Sequence, residues 1–374
     1  MRPRTLPALL ALLLLATLPG ARARTVEEAR VPAALERMPD LRISAERAIR
    51  SLAGGPLTAG AATAAGLELW RVARDAVQGG SLDDRPLYWS RLAALREARA
   101  RCDAATACAG ALAAWEHATR GVGDAGFGDE ETDLHVLVTG FDPFALDRHL
   151  DQSNPSGVAA LALDDRVLTV GDRRVAVQAL LFPVRFADFD DGLVETLIRP
   201  PLETGEVDLL LTVSMGRDAF DLERFPGRRR SSTAPDNLGI RTGASPEAPQ
   251  IPPLGAMPLP GPEFVEFSLP VEAMRAAGGP WPVHDNRTVT TLEQGTFEAP
   301  SLAALAGQTA VRGSGGGYLS NEISFRTVRL ARELGVAVPV GHLHTPRIEG
   351  HDAATLAALV AQVEVLVRAA AAAL

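Results

Sequence analysis

The feature that most constrains the fold of this chain is the alternation of short apolar runs with helix-like stretches, which begins near residue 133. Runs of this kind are typical of strands buried on both faces of a sheet. The strand candidates are His135–Thr139, Val175–Leu181, Val207–Val213 and Val336–Gly341. The helix candidates are Pro155–Leu163, Phe189–Ile198, Leu269–Ala277, Asn321–Leu334 and Asp352–Ala373. Strands that alternate with helices predict an α/β layered sheet for residues 133–374.

Residues 24–120 have a different character, because Ala, Leu, Arg and Glu dominate them. Apolar residues such as Leu87, Leu92 and Leu95 recur there at helix-like spacing, which predicts a separate helical domain. The segment 121–132 is rich in glycine and acidic residues, as linkers often are. We therefore expect few contacts across this segment and preferential proteolysis within 121–131.

Residues 1–23 have the pattern of a secretory signal peptide. Arg2 and Arg4 precede an apolar run, Leu6–Ala16, and Ala21-Arg22-Ala23 fits the small-x-small cleavage rule. We expect a mature chain that begins near Arg24 and is exported to the periplasm or the extracellular space. The alternative is an uncleaved N-terminus of a cytosolic protein. No later run is expected to reach transmembrane length, so the prediction is a mature protein without a membrane span.

Cys102 and Cys108 are the only cysteines of the sequence. In an oxidising compartment such a pair favours a disulfide. An unbroken helix would hold their Cα atoms about 9 Å apart, beyond bridging distance. A disulfide therefore requires a helix break, which Asp103 could supply as the N-cap of a new helix. The alternative is two buried thiols in alanine-rich helices.

The charge and glycine patterns bear on partners and cofactors. A formal net charge of −9 argues against nucleic acid or an anionic membrane as partner. The glycines do not complete the dinucleotide fingerprint. His342 and His344 form a His-x-His pair that could bind zinc, but no fitting third ligand is evident. The sequence thus predicts neither a cofactor nor a metal.

Three separated segments carry candidate chemistry. Gly140-Phe-Asp-Pro-Phe144 follows a predicted buried strand, and Asn154-Pro-Ser156 opens a helix. Aromatic residues at a strand's carboxyl end line the crevice in which open α/β sheets bind ligands. The alternative is that both phenylalanines are ordinary core residues.

In the second segment, Glu223 can orient a histidine or act as a base, or it can form a surface pair with Arg224. The third segment is a glycine-rich turn that leads to Ser320 and a helix, and later to His344 at a strand end. Free N–H groups at a helix start can form an oxyanion hole. Ser320 is otherwise simply the helix N-cap.

Taken in order, these segments resemble the pyroglutamyl peptidase I family, the pyrrolidone-carboxylate peptidases. Its GFEPFGG loop and NPS are similar to Gly140–Phe144 and Asn154–Ser156, and its GGR and PDNEG segments to Gly216-Arg217 and Pro235–Gly239. Its cysteine turn and GFIHVP segment are similar to Gly315–Glu322 and Gly341–Pro346. The resemblance covers about residues 133–374. It implies a three-layer α/β/α fold with a twisted mixed sheet, here preceded by a small all-α domain.

The resemblance implies a Cys–His–Glu machinery that falls on Ser320, His344 and Glu223, with serine in the place of the cysteine. It implies that Phe141 and Phe144 hold the pyroglutamyl ring, with Tyr318 beside them. We expect the three machinery side chains to converge, with Ser320 Oγ near a nitrogen of His344.

The chain departs from the family pattern at several other positions. Ala145-Leu146 replace two glycines, and Val213 stands near an expected glutamine. Two expansions separate Glu223 from Ser320, in the Pro-rich stretch 243–262 and directly before the nucleophile turn, where 285–309 is weakly patterned.

The resulting functional hypothesis is a hydrolase of amide or ester bonds that forms an acyl-enzyme on Ser320 and acts on a peptide or small acyl substrate. Removal of N-terminal pyroglutamate is one candidate reaction. The alternative is an inactive relative that serves as an exported binding module. Family members often form homo-oligomers, although a fused helical domain could cover those surfaces.

Overall fold

A computed structural model of the chain describes residues 24–102, 106–127 and 131–374. The expected signal peptide, residues 1–23, and the candidate N-cap Asp103 lie outside the described residues.

A mixed seven-stranded sheet forms the centre of the C-terminal part. Across the described residues the strands are β1 Leu134–Phe141, β2 Arg166–Val170, β3 Arg173–Phe182, β4 Leu209–Met215, β5 Phe220–Glu223, β6 Pro253–Leu254, β7 Met257–Pro258, β8 Val283–Asn286, β9 Thr288–Thr291, β10 Gly295–Glu298, β11 Ala310–Arg312 and β12 Val340–Thr345. The central sheet has the order β2-β3-β1-β4-β12-β5-β8. Strands β3, β1, β4 and β12 are parallel, whereas β2 and β5 run antiparallel to β3 and β12. Two small sheets, β10-β9-β11 and β6-β7, come from the expansions predicted between Glu223 and Ser320.

Helices cover both faces of the central sheet. The described α-helices are α1 Val26–Arg37, α2 Arg42–Ala53, α3 Ala59–Ala76, α4 Arg85–Arg101, α5 Thr106–Ala118, α6 Pro155–Leu163, α7 Phe186–Asp190, α8 Leu193–Glu203, α9 Val271–Ala276, α10 Leu319–Leu334 and α11 Ala353–Ala372. Helices α6 and α11 pack together, and so do α8 and α10. The predicted class, an α/β/α fold with a mixed sheet preceded by helices, is confirmed.

Local sequence sets the ends of the elements next to the candidate site. Asn154 caps α6 by accepting from the Ser156 N–H, and Pro155 occupies the first turn, where no N–H is needed. Helix α10 ends at Gly335, whose φ of 67° is in the left-handed region that glycine tolerates. Strand β12 begins at Val340, so the predicted strand 336–341 is wrong in its bounds. Pro339 has no N–H to donate, and residues 336–339 only connect α10 to the sheet.

Helix α11 is long and apolar enough, by length and composition, to cross a membrane. The expectation that no later run reaches that length is therefore wrong. Within the fold this helix contributes Leu356, Leu359, Val363 and Leu366 to the main hydrophobic core. A helix that packs on one face of a sheet passes the same test of length and composition.

The helical part packs against the sheet part. Trp70 of α3 is fully buried, belongs to the main core, and donates its indole N–H to Asp164 at 2.8 Å. Val122, Ala125 and Phe127, from the expected linker, also pack against this core. Gly121 and Gly123 have φ values of 85° and 93°, and these allow the chain to turn back. Contacts therefore do cross the segment, contrary to expectation, while the domain boundaries themselves stay a prediction.

Cys102 and Cys108 form a disulfide, with Cα atoms 5.9 Å apart. Helix α4 ends at Arg101 and α5 begins at Thr106, so the two cysteines do not share one helix. This break brings their Cα atoms within bridging distance.

Candidate active site

His344 lies near the carboxyl end of β12, opposite Ser214 of β4 in the parallel register. Gly216 follows β4 and packs directly against the histidine. A Cβ added at Gly216 would lie 2.5 Å from the Cβ of His344. Only glycine leaves room there for the imidazole, which gives a physical reason for the Gly216-Arg217 motif.

Glu223 and His344 form a buried pair. Asp221 of β5 stands opposite His344 of β12, and Glu223, two positions further on, points to the same face and reaches His344, with Oε1 2.5 Å from Nδ1. The other carboxylate oxygen, Oε2, accepts from Asn286 Nδ2 at 2.8 Å. Glu223 has no solvent exposure, so burial raises its pKa, while His344 acts in the opposite direction. The alternative of a solvated pair between Glu223 and Arg224 does not describe this carboxylate, because Arg224 pairs instead with Asp285 and Glu266.

Ser320 lies in the first turn of α10, after a loop that is held by close packing. Gly313 and Gly317 approach Asn321 and Ser231 so closely that a Cβ would lie 2.1 Å from their side-chain oxygens. Tyr318, and not Ser320, is the N-cap of the helix, and it makes no side-chain cap hydrogen bond. Among the described residues nothing accepts a hydrogen bond from the N–H groups of residues 319–321. They are the free donors that every helix start presents.

The Ser320 hydroxyl donates to the Gly315 carbonyl at 3.2 Å. Within the described part of the chain, no hydrogen bond joins Ser320 to His344. Both residues nevertheless lie near the carboxyl ends of the parallel strands. Ser214, the register partner of His344, lines one cavity together with Ser320.

The three aromatic residues singled out in the sequence also line that cavity. Its volume is about 40 Å³, and it is lined by Phe141, Phe144, Asn154, Val184, Ser214, Met215, Tyr318, Leu319 and Ser320. Phe141 also packs in the core against Phe182 and Phe189, so it is both a wall of this cavity and a core residue. Tyr318 donates its hydroxyl to the Pro235 carbonyl at 2.9 Å, which fixes its ring at the cavity wall.

His342 differs from His344 in its surroundings. Its Nδ1 is 2.8 Å from Thr212 Oγ1 and its Nε2 is 2.7 Å from Ser214 Oγ. Burial, with the adjacent His344, holds the pKa of His342 well below its usual range. Both ring nitrogens are thus engaged by hydroxyls. Among the described residues no cluster of His, Cys, Asp or Glu is arranged to hold a metal.

Sequence reasoning missed the buried charges behind the cavity. Asp142, between the two phenylalanines of the motif, receives two hydrogen bonds from Arg91 at 2.8 and 3.0 Å and a further one from Arg120. Although burial alone would raise the pKa of Asp142, Arg120 and Arg91 hold it below its usual range. The only local sign of this cluster in the sequence was the acidic residue between the two phenylalanines. Its partners, however, lie in the unmatched helical part, about 20 and 50 residues upstream.

A second buried acid, Asp84, holds the other wall. It accepts from the Ser153 hydroxyl at 2.5 Å and from the Asn154 N–H at 3.1 Å. Burial raises the pKa of Asp84 to about 8. Asn154 lines the cavity, so α4 and its N-cap residue Asp84 support the site from the helical part.

Comparisons with known proteins show which family the chain belongs to. The chain is 29% identical to the uncharacterized protein PA0049 of Pseudomonas aeruginosa over 379 aligned positions, covering 76% of this chain and 68% of that protein. Among solved structures, the pyrrolidone carboxyl peptidase of Pyrococcus furiosus and a mutant of it are similar at 20% identity and a TM-score of 0.43, covering 64% of this chain and 98% of theirs. The family model for the C-terminal domain of PA0049 matches residues 135–277 and 282–349, more than half of the chain. The chain belongs to the family of the PA0049 C-terminal domain.

Proposed function

We propose that the chain is a serine hydrolase that cleaves an amide or ester bond next to a small acyl group, using Ser320, His344 and Glu223. The observation that carries this proposal is the buried pair of Glu223 and His344, whose side chains are 2.5 Å apart. The pair lies near the carboxyl ends of the parallel strands, next to the cavity that Ser320 lines. An ionised carboxylate at Nδ1 favours the tautomer in which Nε2 accepts a proton. That nitrogen is the general base of the proposed reaction.

In the proposed reaction, the Ser320 hydroxyl turns from Gly315 toward His344 and bonds to the acyl carbon. Its proton passes to Nε2, and the carbonyl electron pair moves onto oxygen, where the free N–H groups of the first turn of α10 stabilise it. The bond to the leaving group then breaks, and His344 returns the proton to the departing amine or alcohol. Water attacks the acyl-enzyme in the same way and releases the acid and free Ser320.

The cavity limits the acyl group. Its walls are mainly apolar, and its volume of about 40 Å³, well below that of a typical ligand pocket, leaves room only for a small ring or a short acyl chain. A five-membered lactam such as that of pyroglutamate is such a group. The resemblance to pyroglutamyl peptidase I favours it, with Phe141, Phe144 and Tyr318 around the ring.

We also propose that the protein works outside the cytoplasm. Residues 1–23 have the pattern of a signal peptide, and the bonded pair Cys102–Cys108 is typical of oxidising compartments.

One observation favours a second candidate, a binding module without turnover. The Ser320 hydroxyl is directed to the Gly315 carbonyl and not to His344. A serine that keeps this rotamer would not be activated, and the cavity would then only hold its ligand.

A fluorophosphonate probe distinguishes the two candidates, because it reacts with activated serines. We expect the wild-type protein and the control variant Ser301→Ala to be labelled, and Ser320→Ala to be unlabelled. A pyroglutamyl-coumarin reporter should be hydrolysed by the same labelled proteins. Ser320→Cys should raise its cleavage, since a thiolate at a helix N-terminus is a ready nucleophile. A folded wild-type protein that is neither labelled nor active on the reporter would favour the binding module.

A further inference from the structure

A second, larger cleft adjoins the cavity on the far side of Tyr318. Its volume is about 340 Å³, and Tyr318 lines both spaces. The cleft is polar: its walls include Arg217, Arg312, Ser231, Thr288, Thr290 and Thr296. None of the described residues that line it is an aspartate or a glutamate. This is notable in a chain with 46 acidic residues and a net charge of −9.

The two arginines of the cleft have no acidic partner among the described residues. Arg217 and Arg312 are both exposed, and within the described residues neither forms a salt bridge or a side-chain hydrogen bond. Most other arginines near the site are paired, as Arg230 is with Glu322 at 2.5 Å. Two unpaired guanidinium groups on one cleft make a binding site for an anion, because such groups recognise carboxylates through paired N–H donors.

Ser231 is a second and independent indication of a ligand. It is 1% exposed and lines the cleft, and its hydroxyl has no hydrogen-bond partner among the described residues. The hydroxyl lies against Gly317 of the nucleophile loop. The ion pair of Arg230 with Glu322 of α10 holds the neighbouring backbone in place. A buried hydroxyl without a partner is costly unless a ligand or water satisfies it.

The position of the cleft relates it to the leaving group. Arg217 follows Gly216, which packs on His344. The positive charge of Arg217 acts to lower the pKa of Glu223. In the proposed reaction, His344 gives its proton to the departing group. That group therefore leaves on the histidine side, where the cleft lies. The cleft's outer wall comes from β9, β10 and β11, the expansion that precedes the nucleophile turn.

We propose that this cleft binds a carboxylate on the leaving portion of the substrate, through Arg217, Arg312 and Ser231. The proposal rests on the proposed function for the direction of the leaving group. Since cleft and cavity meet at Tyr318, the carboxylate belongs within one or two residues of the scissile bond. The substrate class is then a short acylated peptide that ends in a free carboxylate.

The decisive test measures binding without turnover. The Ser320→Ala variant is titrated by calorimetry with acetyl-alanyl-alanine and with its C-terminal amide, neither of which contains a lactam. We expect the acid to bind about tenfold more tightly, as a charge-assisted hydrogen-bonded pair provides. Adding Arg217→Gln and Arg312→Gln should abolish the preference, whereas Arg275→Gln, an exposed arginine of α9, should keep it. Equal binding of acid and amide, no binding of the acid, or a preference that survives the double change would overturn the cleft site.

Turnover then identifies the source of the carboxylate. The wild-type protein is compared on pyroglutamyl-alanine, its amide, and the amides of pyroglutamyl-aspartate and pyroglutamyl-asparagine. A kcat/KM about tenfold higher for the free acid than for its amide indicates a C-terminal carboxylate. A higher value for the aspartate amide alone supports the cleft but assigns it to an acidic side chain, against the short-peptide class. If no compound is hydrolysed and Ser320 is not labelled by the fluorophosphonate probe while the acid preference in binding persists, the proposed function fails and the anion site stands.

Discussion

Glu223 places one carboxylate oxygen 2.5 Å from Nδ1 of His344, although 121 residues separate the two in the chain. The register of β5 against β12 produces this contact, because Asp221 stands opposite His344 and Glu223, two positions further on, points to the same face of the sheet. The pair is therefore a product of sheet topology.

The first prediction concerns the acid. Glu223→Gln keeps the size of the side chain but removes the charge that fixes the histidine tautomer. We expect the rate of fluorophosphonate labelling of Ser320 to fall by about 10²- to 10⁴-fold. Glu272→Gln is the control, because Glu272 is an exposed carboxylate of α9 that lines neither the cavity nor the cleft. A rate unchanged in Glu223→Gln would remove Glu223 from the proposed machinery.

The second prediction concerns Gly216. A methyl group there would lie 2.5 Å from the Cβ of His344, so Gly216→Ala must displace the histidine. We expect a loss of about 1–3 kcal/mol in the free energy of unfolding, as overpacking usually causes, and slower labelling of Ser320. Gly60→Ala in α3 is the control, since nothing lies within 4 Å of its added Cβ. Normal labelling by Gly216→Ala would show that the site tolerates a shifted His344.

The third prediction concerns pH. The pKa of Asp84 is raised by burial from 3.8 to about 8, so between these values the folded protein holds a proton that the unfolded chain releases. The free energy of unfolding therefore falls as the pH rises through this window. Between pH 5 and 8 the wild type should lose roughly 2–4 kcal/mol more than Asp84→Asn, measured by denaturant titration. The exposed Asp75→Asn should follow the wild type. Equal losses in the wild type and in Asp84→Asn would contradict the raised pKa.

The fourth prediction concerns Asp142. Asp142→Ala leaves Arg91 and Arg120 buried without their shared carboxylate. We expect a loss of about 3–5 kcal/mol in the free energy of unfolding, because a buried charge left unpaired is expensive. Glu203→Gln, which breaks an exposed pair with Arg199, should cost less than about 1 kcal/mol. If the two variants are equally stable, solvent must reach the Asp142 cluster.

Local signals in the sequence predicted much of this molecule. The buried run that became β1 and the Asn154-Pro155 start of α6 follow from burial and capping, which act over a few residues. The pairing of Glu223 with His344 was expected only because separate motifs were compared with a family in a fixed order. The short strands β5 and β8 at one side of the sheet were missed, since they have no long apolar run to mark them.

Other features depend on contacts that no local pattern encodes. Asn286 binds Glu223 from within a weakly patterned stretch, and Asp142 finds its arginines in the helical part. The local sequence would predict the wrong backbone conformation at Ala145. It stands where the resembling family has glycine, and it keeps the left-handed backbone with a φ of 62°. Such a conformation costs a residue with a Cβ about 1 kcal/mol, and the surrounding fold must impose it.

The amide of Asn286 donates both to Glu223 Oε2 and to the Ser314 carbonyl, and the residue stands at the end of β8, directly before the hairpin that walls the large cleft. Substitutions selected in that hairpin for a new substrate therefore also affect Asn286 and its hydrogen bond to Glu223. Substitutions that alter substrate choice will tend to alter turnover in the same step. In this lineage the two properties are expected to evolve together, and laboratory evolution of the hairpin will progress faster if position 286 is held constant.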